Sequence, residues 1–241
     1  MSAVVDPSLL TDGARPRVVL TGYSRGIGRA TALALSARDA ELFLFGRPSA
    51  GSERTVAELA ERRATIRSYD VELADADSVI RAARSLLADV GPPDVVIHNA
   101  GIIERQTVES TSTEQWDRQL DVNLRAPFLL TRELLPRMRG RGCGRHLYVG
   151  SIASTVGTAR AAPYCASKWG LVGFVKSLAE ELRDSGLMAM ALLPGSVDTE
   201  MLSGSGFTPR LSPEEVARTI VYFSLDASTK HNGSVVEMFG T

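Results

Sequence analysis

Between a short apolar run, Val18-Val19-Leu20, and a stretch with apolar residues at helical spacing, Ile27, Ala30, Ala34 and Ala37, the chain carries the segment TGYSRGIG. No other stretch narrows the fold as far. An apolar run without polar alternation suits a strand buried on both faces. Gly22, Gly26 and Gly28 directly after it permit a tight turn and a close approach of backbone to ligand. A helix starting there points its unpaired N–H groups at the turn, which makes a seat for a pyrophosphate.

The same alternation continues along the chain. Strands are predicted at 41–45, 65–69, 94–98, 146–150, 187–193 and 235–238, with helices at 52–63, 75–89, 113–138 and 161–184 between them and a capping box at Ser212-Pro213-Glu214-Glu215 opening another. Pro127 lies inside the 113–138 helix, so a local distortion is expected around Asn123, four residues back. Strict strand and helix alternation implies an α/β, single-domain Rossmann fold: a doubly wound parallel sheet of about seven strands with helices on both faces and ligands at the strands' C-terminal edge. The domain is expected over residues 17–241, after a loose lead-in at 1–16, with a short substrate lid over 201–212. With 44% hydrophobic residues, the chain can build a full core.

Charge and cysteine content remove several functions. The formal net charge is -1, without blocks of like charge, so neither a nucleic-acid footprint nor a polybasic membrane patch is expected. The start has no secretory pattern and no apolar run reaches about 18 residues, so a cytoplasmic protein is expected. Cys143 and Cys165 are too few for a disulfide framework or a metal site.

Two places carry chemistry. At the end of the second strand an acidic residue favours a free ribose 2′-hydroxyl and an arginine a 2′-phosphate; here stand Gly46 and Arg47, with Arg25 nearby in the glycine loop. NADP(H) is therefore the favoured cofactor, with NAD(H) as the alternative. In SIASTVGTARAAPYCASK, Ser151 follows a strand, and Tyr164 and Lys168 fall at i and i+4 on one helical face. A free phenol titrates near ~10, and a neighbouring cation is expected to lower it toward neutrality. Ser151 can hold a substrate oxygen against the phenol.

Together these residues resemble the short-chain dehydrogenase/reductase family, most nearly its 3-ketoacyl reductases and related carbonyl reductases. The resemblance makes TGYSRGIG, with Gly22, Ser24, Arg25, Gly26, Ile27 and Gly28, the cofactor loop. It makes Asp70, followed by Val71, the adenine-contacting aspartate, and Asn99-Ala100-Gly101 the sheet-stabilising segment. Asn123, Ser151, Tyr164 and Lys168 match the catalytic tetrad, with Asn123 keeping a water in the proton relay behind Lys168. Pro194, Gly195, Val197 and Thr199 match the segment over the nicotinamide.

It implies hydride transfer between a nicotinamide and a small to medium, largely apolar ketone, 3-ketoacyl compound or alcohol. Ile102, Ile103, Ile152, Ala153, Val156, Met201, Leu202 and Phe207 are the candidate pocket residues, and Arg160 and Glu104 its polar exceptions. A homodimer or homotetramer is expected through the helices at 113–138 and 161–184, on Leu120, Leu124, Phe128, Trp169, Val172 and Val175. His98, the short lid and the ending NGSVVEMFGT depart from the family pattern. A non-catalytic dinucleotide sensor and an NAD-linked alcohol dehydrogenase are the competing readings.

Overall fold

The computed structural model describes residues 14–240, so the lead-in as far as residue 13 lies outside the described residues. Strand β1 (Arg17–Thr21) pairs in parallel with β2 (Glu41–Gly46) on one side and β4 (Val95–His98) on the other. With β3 (Ile66–Asp70), β5 (Gly144–Val149), β6 (Leu187–Pro194) and β7 (Val235–Met238), they form a parallel sheet of seven strands in the order β3-β2-β1-β4-β5-β6-β7. The order reverses between β1 and β4, where crossovers leave in opposite directions and a crevice opens.

Two apolar cores sandwich the sheet. Val18, Leu20, Val95, Ile97, Met190 and Leu192 face α1 (Gly26–Ser36), α2 (Ala50–Glu61) and α7 (Pro213–Val221). Val19, Val96, Ala189, Ala191 and Leu193 face α3 (Ala76–Asp89), α5 (Ala126–Arg141) and α6 (Ala162–Glu181). The strands alternate faces residue by residue, although both faces are apolar and the sequence shows no period of two.

Several expected boundaries shift for local reasons. The helix expected over 113–138 is in three parts: α4 (Thr113–Leu120), a π-helical turn over Asp121–Arg125 and α5. Pro127 sits in the first turn of α5, where its missing N–H costs least, and the extra residue of the wider turn falls at Asn123. The α2 helix starts ahead of residue 52 because Ser49 accepts from the Ser52 N–H. The α6 helix stops at Glu181 rather than 184, its end tightening as Arg183 N–H bonds the Glu180 carbonyl. In α1 the buried residues are Gly28, Ala30, Thr31, Ala32 and Leu35; of the expected period Ala30 is buried, Ile27 and Ala34 pack partly buried on the core, and Ala37 is exposed. Val175, expected at an oligomer surface, is fully buried under the sheet.

His98, at the end of β4, lies in a buried polar cluster. Its Nε2 is 3.4 Å from His146 Nδ1 and 3.3 Å from Thr131 Oγ1, and the ring stacks on Tyr148 at 4.3 Å. Burial lowers both histidines: His98 goes well below 6.5, helped by His146, and His146 falls to about 3. Both rings are thus neutral in the fold, while the unfolded chain protonates them below 6.5. The stability they permit is complete above that value and is lost as pH falls toward about 3. At one unit below 6.5 each ring withdraws about 1.4 kcal/mol. Urea unfolding followed across this range should show that acid loss, and His98→Asn should roughly halve its slope; a pH-independent midpoint would contradict the assignment.

Candidate active site

The crevice at the β1–β4 switch point is held by Asn99. Its side-chain amide donates to the carbonyls of Thr21 (3.1 Å) and Gly22 (3.0 Å), while the backbone N–H groups of Asn99 and Ala100 both donate to Thr21 Oγ1 at 3.0 Å. Gly22 has φ +72°, and a Cβ on it would lie 2.7 Å from Ala100 Cα. A Cβ on Gly28 would run into the Gly22 carbonyl and the Asn99 amide. Only glycine allows this approach. The α1 N-terminus opens on the same crevice, and Arg25, its N-cap, has no side-chain cap bond, so its first-turn N–H groups remain available to an anion.

The cleft has a volume of about 930 Å³, at the large end of the ~300–1,000 Å³ usual for small-molecule sites. Gly22, Ser24, Arg25, Gly26, Ile27, Gly28, Arg47, Val71, Asn99 and Gly101 form its wall on one side, and Pro194, Gly195, Val197 and Thr199 close over it. The Gly195 N–H bonds the Met238 carbonyl at 2.8 Å, tying that segment to β7. Asp70 is the exception: it is exposed at the end of β3 and faces a separate surface depression with Tyr69, Ser78 and Arg81. Its neighbour Val71, buried, takes the place in the cleft wall.

Arg25 and Arg47, the two arginines expected at the ribose, are both paired. Arg25 bonds Glu200, the residue before the expected lid, and Arg47 bonds Glu72 at 3.1 Å; each arginine side chain is about two-thirds exposed. Glu72 and Glu200 carry no sequence pattern that marks them, because their closeness to the arginines arises only when β2, β3 and the lid converge.

Asn123, Ser151, Tyr164 and Lys168 come together at the other end. Lys168 Nζ donates to the Val149 carbonyl at 2.9 Å and lies 5.7 Å from the Tyr164 ring centre. Ser151 accepts from the Ala153 N–H, which fixes its hydroxyl at the end of β5. Asn123 Oδ1 accepts from Ile102 N–H at 2.8 Å, and its Nδ2 donates to Ile102 O and Ser167 Oγ.

The electrostatics differ from the sequence expectation. Burial pushes the Tyr164 phenol up; the bonded Ser151 hydroxyl pulls it back, Cys165 raises it and Arg105 lowers it, with a net upward shift. Burial also lowers Lys168 to about 8. Desolvation of both groups outweighs the nearness of the ammonium. The arrangement therefore keeps a protonated phenol beside a hydroxyl at neutral pH, which suits donation to a developing alkoxide.

At the substrate end Ile102, Ile103, Ile152, Ala153, Val156, Met201, Leu202 and Phe207 line the cleft as expected. Glu104 and Arg160 do not; Arg105 and Arg118 do. The segment after Gly101 is irregular, so no period told which of its side chains turns inward.

The chain matches the family model described as short chain dehydrogenase over residues 16–207. The protein belongs to this family. As a short chain dehydrogenase it is an oxidoreductase, and the family uses NAD(P). It is 31% identical over 223 residues to a 3-oxoacyl-[acyl-carrier-protein] reductase of Synechocystis sp., covering 88% of this chain and 90% of that one. It is also 31% identical to D-threitol dehydrogenase of Mycolicibacterium smegmatis over 229 residues, 90% of this chain and 88% of the relative. A solved structure from Beutenbergia cavernae, provisionally described as an NAD(P)-dependent gluconate 5-dehydrogenase and holding NADP at low occupancy, superposes with a TM-score of 0.88 at 30% identity, covering 98% of each chain. Among the described residues no helix of this dehydrogenase is long and apolar enough to cross a membrane.

The raised phenol gives a direct check. In ultraviolet difference spectra between the protein and Tyr164→Phe, the phenolate band of Tyr164 at pH 10, where an ordinary phenol is half ionised, should fall below half of its full size. A phenolate titrating near neutrality would show instead that Lys168 dominates.

Proposed function

We propose that the protein is an NADP(H)-dependent reductase that transfers a hydride between nicotinamide and the carbonyl or secondary alcohol of a small to medium, largely apolar substrate, of ketone or 3-ketoacyl type. The observation that carries this reading is the convergence of Ser151, Tyr164 and Lys168 on one apolar-walled cleft that also holds the glycine turn. A dinucleotide sensor would need the turn but not a buried hydroxyl, phenol and ammonium.

When bound, the dinucleotide supplies or accepts the hydride. Gly22 to Gly28 and the α1 N-terminus would hold its phosphates, and Pro194, Gly195, Val197 and Thr199 would cover the nicotinamide. Tyr164 gives its proton to the substrate oxygen, which Ser151 holds in place. Lys168, anchored on Val149, keeps a cation beneath the phenol and reaches for the ribose. Both amide donors of Asn123 are spent on Ile102 and Ser167, so we assign the relay water to its backbone carbonyl, which Pro127 cannot satisfy. Val71, and not Asp70, would stand beside the adenine in this reading.

The preference for NADP(H) rests on Arg25, Arg47 and the absence of an acid at Gly46. Glu72 favours the second reading, NAD(H): it shares the ribose corner and can accept from free hydroxyls. Because both arginines already have carboxylate partners, the preference for NADPH is set at about 1.5 kcal/mol, or about tenfold. Fluorescence titrations should show Glu72→Gln widening that ratio and Gly46→Asp with Arg47→Ala reversing it. Tighter NADH binding by the unaltered protein would favour the second reading.

The working unit is one domain from Arg17, with 201–212 as its lid. Two unpaired cysteines suit a reducing cytoplasm. Trp116, Phe128 and Trp169 are each two-fifths or more exposed on helices that pack side by side, so we assign α4 and α5 to α6 as the surface of a homodimer or homotetramer. Tyr164→Phe should lose at least about 10²- to 10⁴-fold in carbonyl reduction while still binding cofactor. Unchanged turnover would remove the phenol from the mechanism.

A further inference from the structure

Arg105 is half-buried in the cleft wall, and among the described residues no carboxylate pairs with it. The backbone next to it is fixed: Gln106 N–H bonds the Arg160 carbonyl at 3.0 Å, and Gln106 bridges to Ala161 at the start of α6. Ile103, two residues earlier, packs on Ala153, Ala161 and Tyr164. Arg105 therefore stands in the cleft wall beside the cluster of Ile103, Ala161 and Tyr164, close enough that its charge acts on Tyr164. Arg118, also in the wall, is balanced by Glu104 at 3.6 Å. Of the two arginines lining the substrate end, Arg105 is thus the one without a carboxylate, and it stands in a wall that includes Ile102, Ile103, Ile152 and Val156. A half-buried cation without a carboxylate beside it gains from a ligand that brings a single negative charge.

We propose that Arg105 is a specificity-determining residue for a carboxylate, and that the preferred substrate is an oxo acid or hydroxy acid whose charge lies across an apolar segment from the reacting carbon. A carboxylate fits better than a phosphate: one guanidinium matches a monoanion in a two-pronged bond, and no glycine turn stands at this end. The inference rests on the oxidoreductase reading above and adds the charge of its substrate.

The test uses a series of aliphatic oxo acids of increasing length, each paired with its own methyl ester, with NADPH oxidation as the readout. The unaltered protein should prefer the acid of the best-fitting pair. Arg105→Gln should reduce kcat/KM for that acid about 10- to 100-fold more than for its ester, chiefly through KM, the size of a lost charge-assisted hydrogen bond. Arg105→Lys should recover part of the loss. The influence of Arg105 on Tyr164 acts on acid and ester alike and cancels in the ratio. Equal losses for acid and ester, or reduction of esters in preference to acids, would overturn the carboxylate assignment and leave the reductase reading standing. No reduction of acids, esters or neutral ketones, with NADPH still bound, would overturn both.

Discussion

The Asn99 amide, bonded to the carbonyls of Thr21 and Gly22, is the contact on which the site depends. At the β1–β4 reversal the crevice opens beside the end of β1, where the carbonyls of Thr21 and Gly22 need a donor. Asn99 satisfies them and fixes the spacing at which Gly22 touches Ala100 and Gly28 tucks beneath the turn. The next residues carry the same order outward. Gly101 lies against Asn123 and Lys168, and Ile102 takes both ends of the Asn123 amide. The short segment from Asn99 to Ile102 thus joins two hydrogen-bonded clusters, one at the glycine turn and one around Asn123, with Lys168 close beside Gly101.

Burial, more than pairwise attraction, sets the chemistry of that end. Tyr164 and Lys168 are both taken out of water, and desolvation favours the neutral form of each. A phenol that keeps its proton and an ammonium that can release one near neutrality form a matched acid pair for reduction, and the ribose of a dinucleotide would add donors and acceptors to the same group. The buried His98, His146, Thr131 and Tyr148 on the α5 side follow the same rule with no ligand in reach. Their cost falls on acid stability instead.

Charge is distributed unevenly along the cleft. At the glycine-turn end Arg25 and Arg47 each have a carboxylate partner, so a phosphate bound there would have to compete with Glu200 and Glu72. At the substrate end Arg105 has none. On the proposed reading the selectivity of the two ends would follow different physics: competition between anions at one, and pairing of a half-buried cation at the other.

The sequence alone determined the order of strands and helices, the glycine turn, the π-helical break near Asn123 and the spacing that puts Tyr164 and Lys168 on one face. All of these are local: they follow from period, from proline's missing N–H and from glycine's missing side chain within a few residues. Helix ends at Ala50 and Glu181 were missed because capping bonds, not apolar period, place them. Tertiary structure alone decided which polar side chains face the cleft. Asp70 turned away from it and Val71 toward it at the tip of one strand, and Arg105 entered where Glu104 and Arg160 had been expected. It also decided that burial would raise the Tyr164 phenol rather than lower it. Orientation in an irregular loop and the desolvation of a charge depend on which distant residues pack against them, and no short stretch of sequence records that.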